Sequence, residues 1–116
     1  MTDALLWNEI GNIYLQVGSH KEAITAIKKA IDMNPDSGWF HYNLGQAYLL
    51  AGELGNALFL FRKSILLMDA PQDQAVVWNK IGDACRGLKD MESAIRAYKK
   101  ADDLDMMASR SALNAD

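Results

Sequence analysis

Disulfides are excluded from the start, because Cys85 is the only cysteine in 116 residues, and nothing points to an oxidising compartment. Proline is scarce too, with only Pro35 and Pro71. No apolar run approaches the ~20 residues a membrane helix needs, since Ala57 to Phe61 is far too short. Met1 to Leu6 carries neither the basic region nor the cleavage site of a secretory signal. The expectation is a soluble, cytoplasmic chain with no membrane partner. Positive charge is not in excess: twelve Lys and Arg against fifteen Asp and Glu give a net charge of -3, so nucleic acid is not an expected partner either.

Catalytic constellations are also missing. His20 and His41 have no cysteine or second histidine close by in sequence, so no metal site is expected. Asp102, Asp103 and Asp105 lack the glycine and the spacing of a calcium loop. Gly11, Gly45 and Gly82 stand singly rather than in a phosphate-binding loop. The expectation is no catalytic residue, no cofactor and no enzyme activity.

What the chain has is repetition. Trp7, Gly11, Tyr14, Ala23 and Ala30 recur 34 residues later as His41, Gly45, Tyr48, Ala57 and Ser64. They recur after a further 37 as Trp78, Gly82, Cys85, Ala94 and Ala101. A period of this size marks stacked supersecondary units, none of which buries its apolar face alone. With half of its residues apolar, a chain of this length supports one packed domain. Within each copy the apolar positions fall at helical spacing on two stripes, so each is expected to be a pair of helices. The recurrent glycines and alanines are the places where helices approach closely. Cys85 stands where Tyr14 and Tyr48 stand, and is expected to be a small buried core residue. His41, in a tryptophan's place, is expected in the core or half-buried.

Punctuation follows from the same register. Gly18 and Gly52 are placed to end the first helices in a left-handed residue. Gly87 comes earlier, so the third turn is expected to differ. Asp3, Ser37 and Asp73 are expected to cap the first helices, with Pro35 and Pro71 in the links. The longer second step implies about one extra helical turn between the second and third copies. In the third copy Asp102 takes the place of Ile31 and Ile65, which suggests a water-facing end.

These residues resemble the tetratricopeptide repeat, whose pattern is W-x2-L-G-x2-Y, then A-x3-F, then A and P. The copies supply Trp7, Ile10, Gly11 and Tyr14, then His41, Leu44, Gly45 and Tyr48, then Trp78, Ile81, Gly82 and Cys85. The resemblance implies an all-α, right-handed α-solenoid of three helix-turn-helix hairpins. They would form one domain over 1–116, with repeats at about 4–37, 38–71 and 75–105 and a tail, 106–116, that forms a short capping helix or frays. It also implies a concave groove lined by the first helices and a protein or peptide partner held in it.

The expected groove residues are Asn8 and Asn12 from the first copy. Trp39, Tyr42, Asn43, Gln46 and Leu49 come from the second, and Asn79, Lys80, Asp83 and Arg86 from the third, with Leu5, Glu9, Leu15, Gln16, Leu50 and Val76 on the same outward faces. Amides both donate and accept, which suits the backbone of an extended peptide, and Trp39 and Tyr42 are the expected anchors. A narrower reading is the clamp by which some relatives hold the acidic tail of heat-shock chaperones. Asn12 and Asn43 fall on its asparagine places and Lys80 on its arginine place, but Asn8 and Val76 occupy both lysine places. A rival reading is self-assembly as a scaffold or homodimer, through outward-facing Phe59 and Leu66 or through the C-terminal end.

Overall fold

A computed structural model describes residues 2–114. It contains six helices: α1 (Asp3–Gln16), α2 (His20–Met33), α3 (Gly38–Leu50), α4 (Leu54–Leu66), α5 (Pro71–Gly87) and α6 (Met91–Asn114). Among the described residues there is no strand, and no helix is long and apolar enough to cross a membrane.

The helices pair in chain order through three-residue turns. In each turn two amides reach back to the last carbonyls of the first helix. Gly18 N–H donates to Leu15 and Ser19 N–H to Tyr14, Gly52 to Leu49 and Glu53 to Tyr48, Lys89 to Arg86 and Asp90 to Cys85, all at 2.9–3.2 Å. The central residue must be left-handed for this geometry, and φ is 80° at Gly18, 82° at Gly52 and 66° at Lys89. The third turn therefore keeps the shape of the other two, contrary to the expectation from Gly87. Gly87 has a different task. It lies in the last turn of α5, where a Cβ would come 2.6 Å from Leu54 Cδ1, so its bareness lets α5 approach α4.

The caps agree with expectation once. Ser37 Oγ accepts the Phe40 N–H at 3.2 Å. For α1 the cap is Thr2, whose Oγ1 accepts from Leu5 at 3.2 Å, while Asp3 sits inside the first turn beside the positive helix end. For α5 the cap is Ala70, with Pro71 in the first helical position and Asp73 in the first turn. The three extra residues of the second step thus lengthen α5 at its start rather than the link. Gln74 Nε2 ties this added turn to the Met68 carbonyl at 2.8 Å. Asp90 opens α6 by accepting from Ser93 N–H at 3.1 Å.

Each hairpin closes on the same contact. A Cβ on Gly11 would strike Ile27, one on Gly45 would lie 2.7 Å from the Phe61 ring, and one on Gly82 would strike the Tyr98 ring. Ile27, Phe61 and Tyr98 occupy one repeat position, so a bulky residue of the second helix seats on the bare glycine of the first. His41 is buried, its Nδ1 2.9 Å from the Ser37 carbonyl. Buried Ser64, in the place of Ala30 and Ala101, donates its hydroxyl to the Gly38 carbonyl at 2.9 Å. Cys85 lies in the core, where burial, then the charge of Asp90, pushes its thiol pKa up.

Hairpins stack through α2 on α3 and α4 on α5. In addition the backbones of α1 and α3, and of α3 and α5, come within 8 Å of each other, whereas those of α2 and α4, and of α4 and α6, do not among the described residues. The first helices therefore crowd on the inside of a curve and the second helices splay on its outside. The body measures 40 × 40 × 22 Å.

The tail departs from expectation. Residues 106–114 form no separate cap but continue α6, which has no glycine or proline to stop it from Met91 to Asn114. Ala101 and Leu104 still pack against Ala75 and Trp78, and Asp102 is exposed, as expected of a water-facing end. Beyond them Met106 and Met107 are exposed, and Leu113 is 84% exposed. Residues 115 and 116 lie outside the described residues.

Candidate functional site

The inner curve presents equivalent positions of α1, α3 and α5 in rows. The first row is apolar: Leu5, Trp39 and Val76 share one repeat position and are 45%, 39% and 40% exposed. Each stands near the start of its helix, where a solenoid core would leave such large side chains covered if they were meant for packing alone. Trp39 meets Tyr42 edge-on, with ring centroids 5.2 Å apart. Tyr42 in turn leans on Phe61 at 5.8 Å and joins the main core cluster. The aromatic pair is therefore anchored from beneath while Trp39 keeps an open face. Burial, then the negative charge of Asp83, holds the Tyr42 phenol above its ordinary pKa.

The amides behave unevenly. Asn8 is 7% exposed, and its Oδ1 accepts from Asn43 Nδ2 at 2.9 Å, so the two hold α1 to α3. Asn12 and Gln46 are half-buried in the next row, and Gln46 Oε1 is buried without a hydrogen-bond partner. Leu49 is half-buried against the main core. Asn79 is exposed on α5.

Charge gathers at the α5 side. Lys80 Nζ lies 3.9 Å from Asp83 Oδ2, and Tyr98 donates its hydroxyl to Asp83 Oδ1 at 2.5 Å. Both carboxylate oxygens are thus engaged from within the chain. Burial and then this hydrogen bond raise the Tyr98 pKa. Arg86 is exposed, with Tyr98 beside it raising its own pKa first by hydrogen bonding. Tyr98 is the member that inspection of the first helices misses. It belongs to α6, and only the bare Gly82 lets its ring pass far enough for the hydroxyl to reach Asp83. The available signal was a tyrosine at the position of Ile27 and Phe61.

On the outer curve Phe59 and Leu66 of α4 are 68% and 85% exposed. They lie two turns apart on one face, away from every residue of the inner rows. Among the described residues no three His, Cys, Asp or Glu side chains gather into a set able to hold a metal ion.

Fold and surface together define a helical-repeat solenoid with an accessible concave face. The model of the family described as "TPR repeat" matches residues 11–52, and that described as "Tetratricopeptide repeat" matches 40–67 and 75–105. The chain belongs to the tetratricopeptide repeat family. It is similar to the BBSome complex member BBS4 homolog of Drosophila melanogaster, 29% identical over 98 residues, which cover 84% of this chain and 20% of that protein. The chain thus spans about a fifth of that relative's length. Among solved structures it resembles the first TPR of Spaghetti (RPAP3) bound to the HSP90 peptide SRMEEVD, with a TM-score of 0.80 and 24% identity over 88% of this chain and 79% of that one. It also resembles the MamA protein, with a TM-score of 0.83 and 25% identity over 94% of this chain and 58% of that one.

Proposed function

We propose that this chain is a protein-interaction module that holds a peptide or helical segment of a partner along the face formed by α1, α3 and α5. The observation that carries this reading is the exposed row Leu5, Trp39 and Val76, which crosses all three hairpins beside a polar row. Apolar side chains of a partner would seat on the first row, and its backbone would meet Asn12, Gln46 and Asn79. Nothing in this role calls for catalysis. The structural relative that holds an HSP90 peptide supports a peptide partner in general, but the acidic chaperone tail fits poorly. Both expected lysine places hold uncharged residues, the buried Asn8 and the apolar Val76, so an anionic chain terminus finds too little positive charge.

Peptides selected from a random library on the chain provide the test. Trp39→Ala and Val76→Asp are expected to weaken the selected peptides at least about tenfold with the far-UV CD spectrum unchanged, and an acidic chaperone-tail peptide is expected not to bind. Unchanged affinity in both variants would refute the groove. A second reading, self-association through the outer curve, is favoured by the exposure of Phe59 and Leu66 on one face. It predicts a dimer that Phe59→Glu dissolves.

A further inference from the structure

The fold uses one interface twice between its own hairpins. Ile24 and Ile31 of α2 pack on the cluster that holds Leu44 and Ala47 of α3. Leu58 and Ile65 of α4 pack on the cluster that holds Val77, Ile81 and Cys85 of α5. A basic residue accompanies each contact. Lys28 lies 5.9 Å above the Tyr48 ring, and Arg62, one repeat later, enters the crease of the third hairpin beside Trp78, Ile81, Cys85 and Ala97.

The first hairpin has the same crease, built from the same repeat positions, and among the described residues no other hairpin lines it. It is a cleft of about 450 Å³ lined by Trp7, Ile10, Tyr14 and Ala26, with Glu22 beside them and the hairpin's own Lys29 reaching in, its Nζ 4.2 Å above the Trp7 ring. Ile13 and Tyr14 beside it are 58% and 38% exposed. The complementary half is open on α6. Ile95, at the place of Ile24 and Leu58, is 54% exposed, and Lys99 stands at the place of Lys28 and Arg62.

We propose that copies of this chain associate head to tail, with the α6 face of one seated in the α1–α2 crease of the next. The contact repeats the one already made between neighbouring hairpins. Ile95 meets Ile10 and Ile13 of the next copy, as Ile24 packs on the cluster that holds Leu44 and Ala47. Lys99 lies over Tyr14 of the next copy, as Lys28 lies over Tyr48. The charges agree with this seating: Glu22 borders the crease where the third hairpin has Ser93, so Lys99 finds a carboxylate there. Further along, Asp102 and Asp103 approach the end of the crease that holds Lys29. Asp102 in place of an isoleucine makes this contact weaker than the internal one, and reversible. The two surfaces differ, so the association is heterologous and open-ended rather than a closed dimer. It uses neither the inner rows nor Phe59 and Leu66, and stands apart from the peptide-binding reading.

Sedimentation velocity on the full chain tests it, from roughly 10 μM to about 1 mM, the range of weak association. The expected result is a weight-average mass that rises past the dimer and falls back as salt is added. Tyr14→Asp blocks only the receiving crease and Ile95→Asp only the inserted face. Each alone is expected to be monomeric with an unchanged CD spectrum, since both side chains are exposed. Their equimolar mixture is expected to form a dimer and nothing larger, because each retains one sound face. A wild-type chain that stays monomeric throughout would overturn the proposal. So would either variant that still oligomerises alone, or association abolished by Phe59→Glu instead. If Tyr14→Asp perturbs the fold, Glu22→Lys at the crease edge serves in its place, with the same pattern required.

Discussion

At the scale of single residues, two positions show physics that the repeat register conceals. Lys89 holds φ at 66°, a conformation glycine adopts freely and a residue with a Cβ does not. Lys89→Gly is therefore expected to raise stability by up to about 1 kcal/mol in urea unfolding, the relief of left-handed strain less the added freedom of the unfolded chain. A loss of stability would show that the lysine side chain contributes to the turn. Tyr42 bears on pH. Its pKa is raised in the fold by burial and then by Asp83, so the unfolded chain releases this proton first as pH passes about 10. Its contribution is complete below that value and is lost as pH climbs through the folded pKa. Tyr42→Phe is expected to flatten the decline of the urea midpoint between about pH 9.5 and 11, and an unchanged slope would contradict the assignment. Single residues were also where the sequence was hardest to read. Asn8 and Asn43 looked like free amides because spacing shows which face a side chain shares, not which neighbour it engages across helices. The bond from Tyr98 to Asp83 was hidden for the same reason.

At the scale of elements, the legible part was the periodicity. Six helices, their order and the nesting of glycine against Ile27, Phe61 and Tyr98 follow from residue size repeated at fixed intervals. Gly82→Ala tests that nesting, because its new methyl meets the Tyr98 ring. The expected cost is about 1 to 3 kcal/mol, with the Tyr98 to Asp83 hydrogen bond lost. Gly55→Ala, where a Cβ meets nothing within 4 Å, is the control and is expected to cost nothing. Equal effects at both sites would mean that helix propensity rather than packing governs these glycines. Element boundaries were less legible. Gly87 carries the turn-forming residue type, yet the turn falls two residues later because the contact with Leu54 claims the glycine. The tail failed as a cap for a different reason: acidic residues solvate a helix face without ending the helix, and no breaker follows Asp105.

At the scale of the whole molecule, curvature comes from asymmetry between the two helix layers. The backbones of the inner helices approach each other from hairpin to hairpin and those of the outer ones do not, which puts Leu5, Trp39 and Val76 on the inner side of the curve. The direction of this curve was legible only through the family resemblance, since spacing within a copy does not determine how copies lean. The most direct measurement is an amide chemical-shift map of the ¹⁵N-labelled chain titrated with a library-selected peptide, read together with the Trp39 indole signal. The expected result is that shifts concentrate on α1, α3 and α5 around Leu5, Trp39, Gln46 and Val76, leaving the outward face of α4 unmoved. Shifts confined to Phe59, Leu66 and the rest of the outer curve would contradict a ligand held in the hollow.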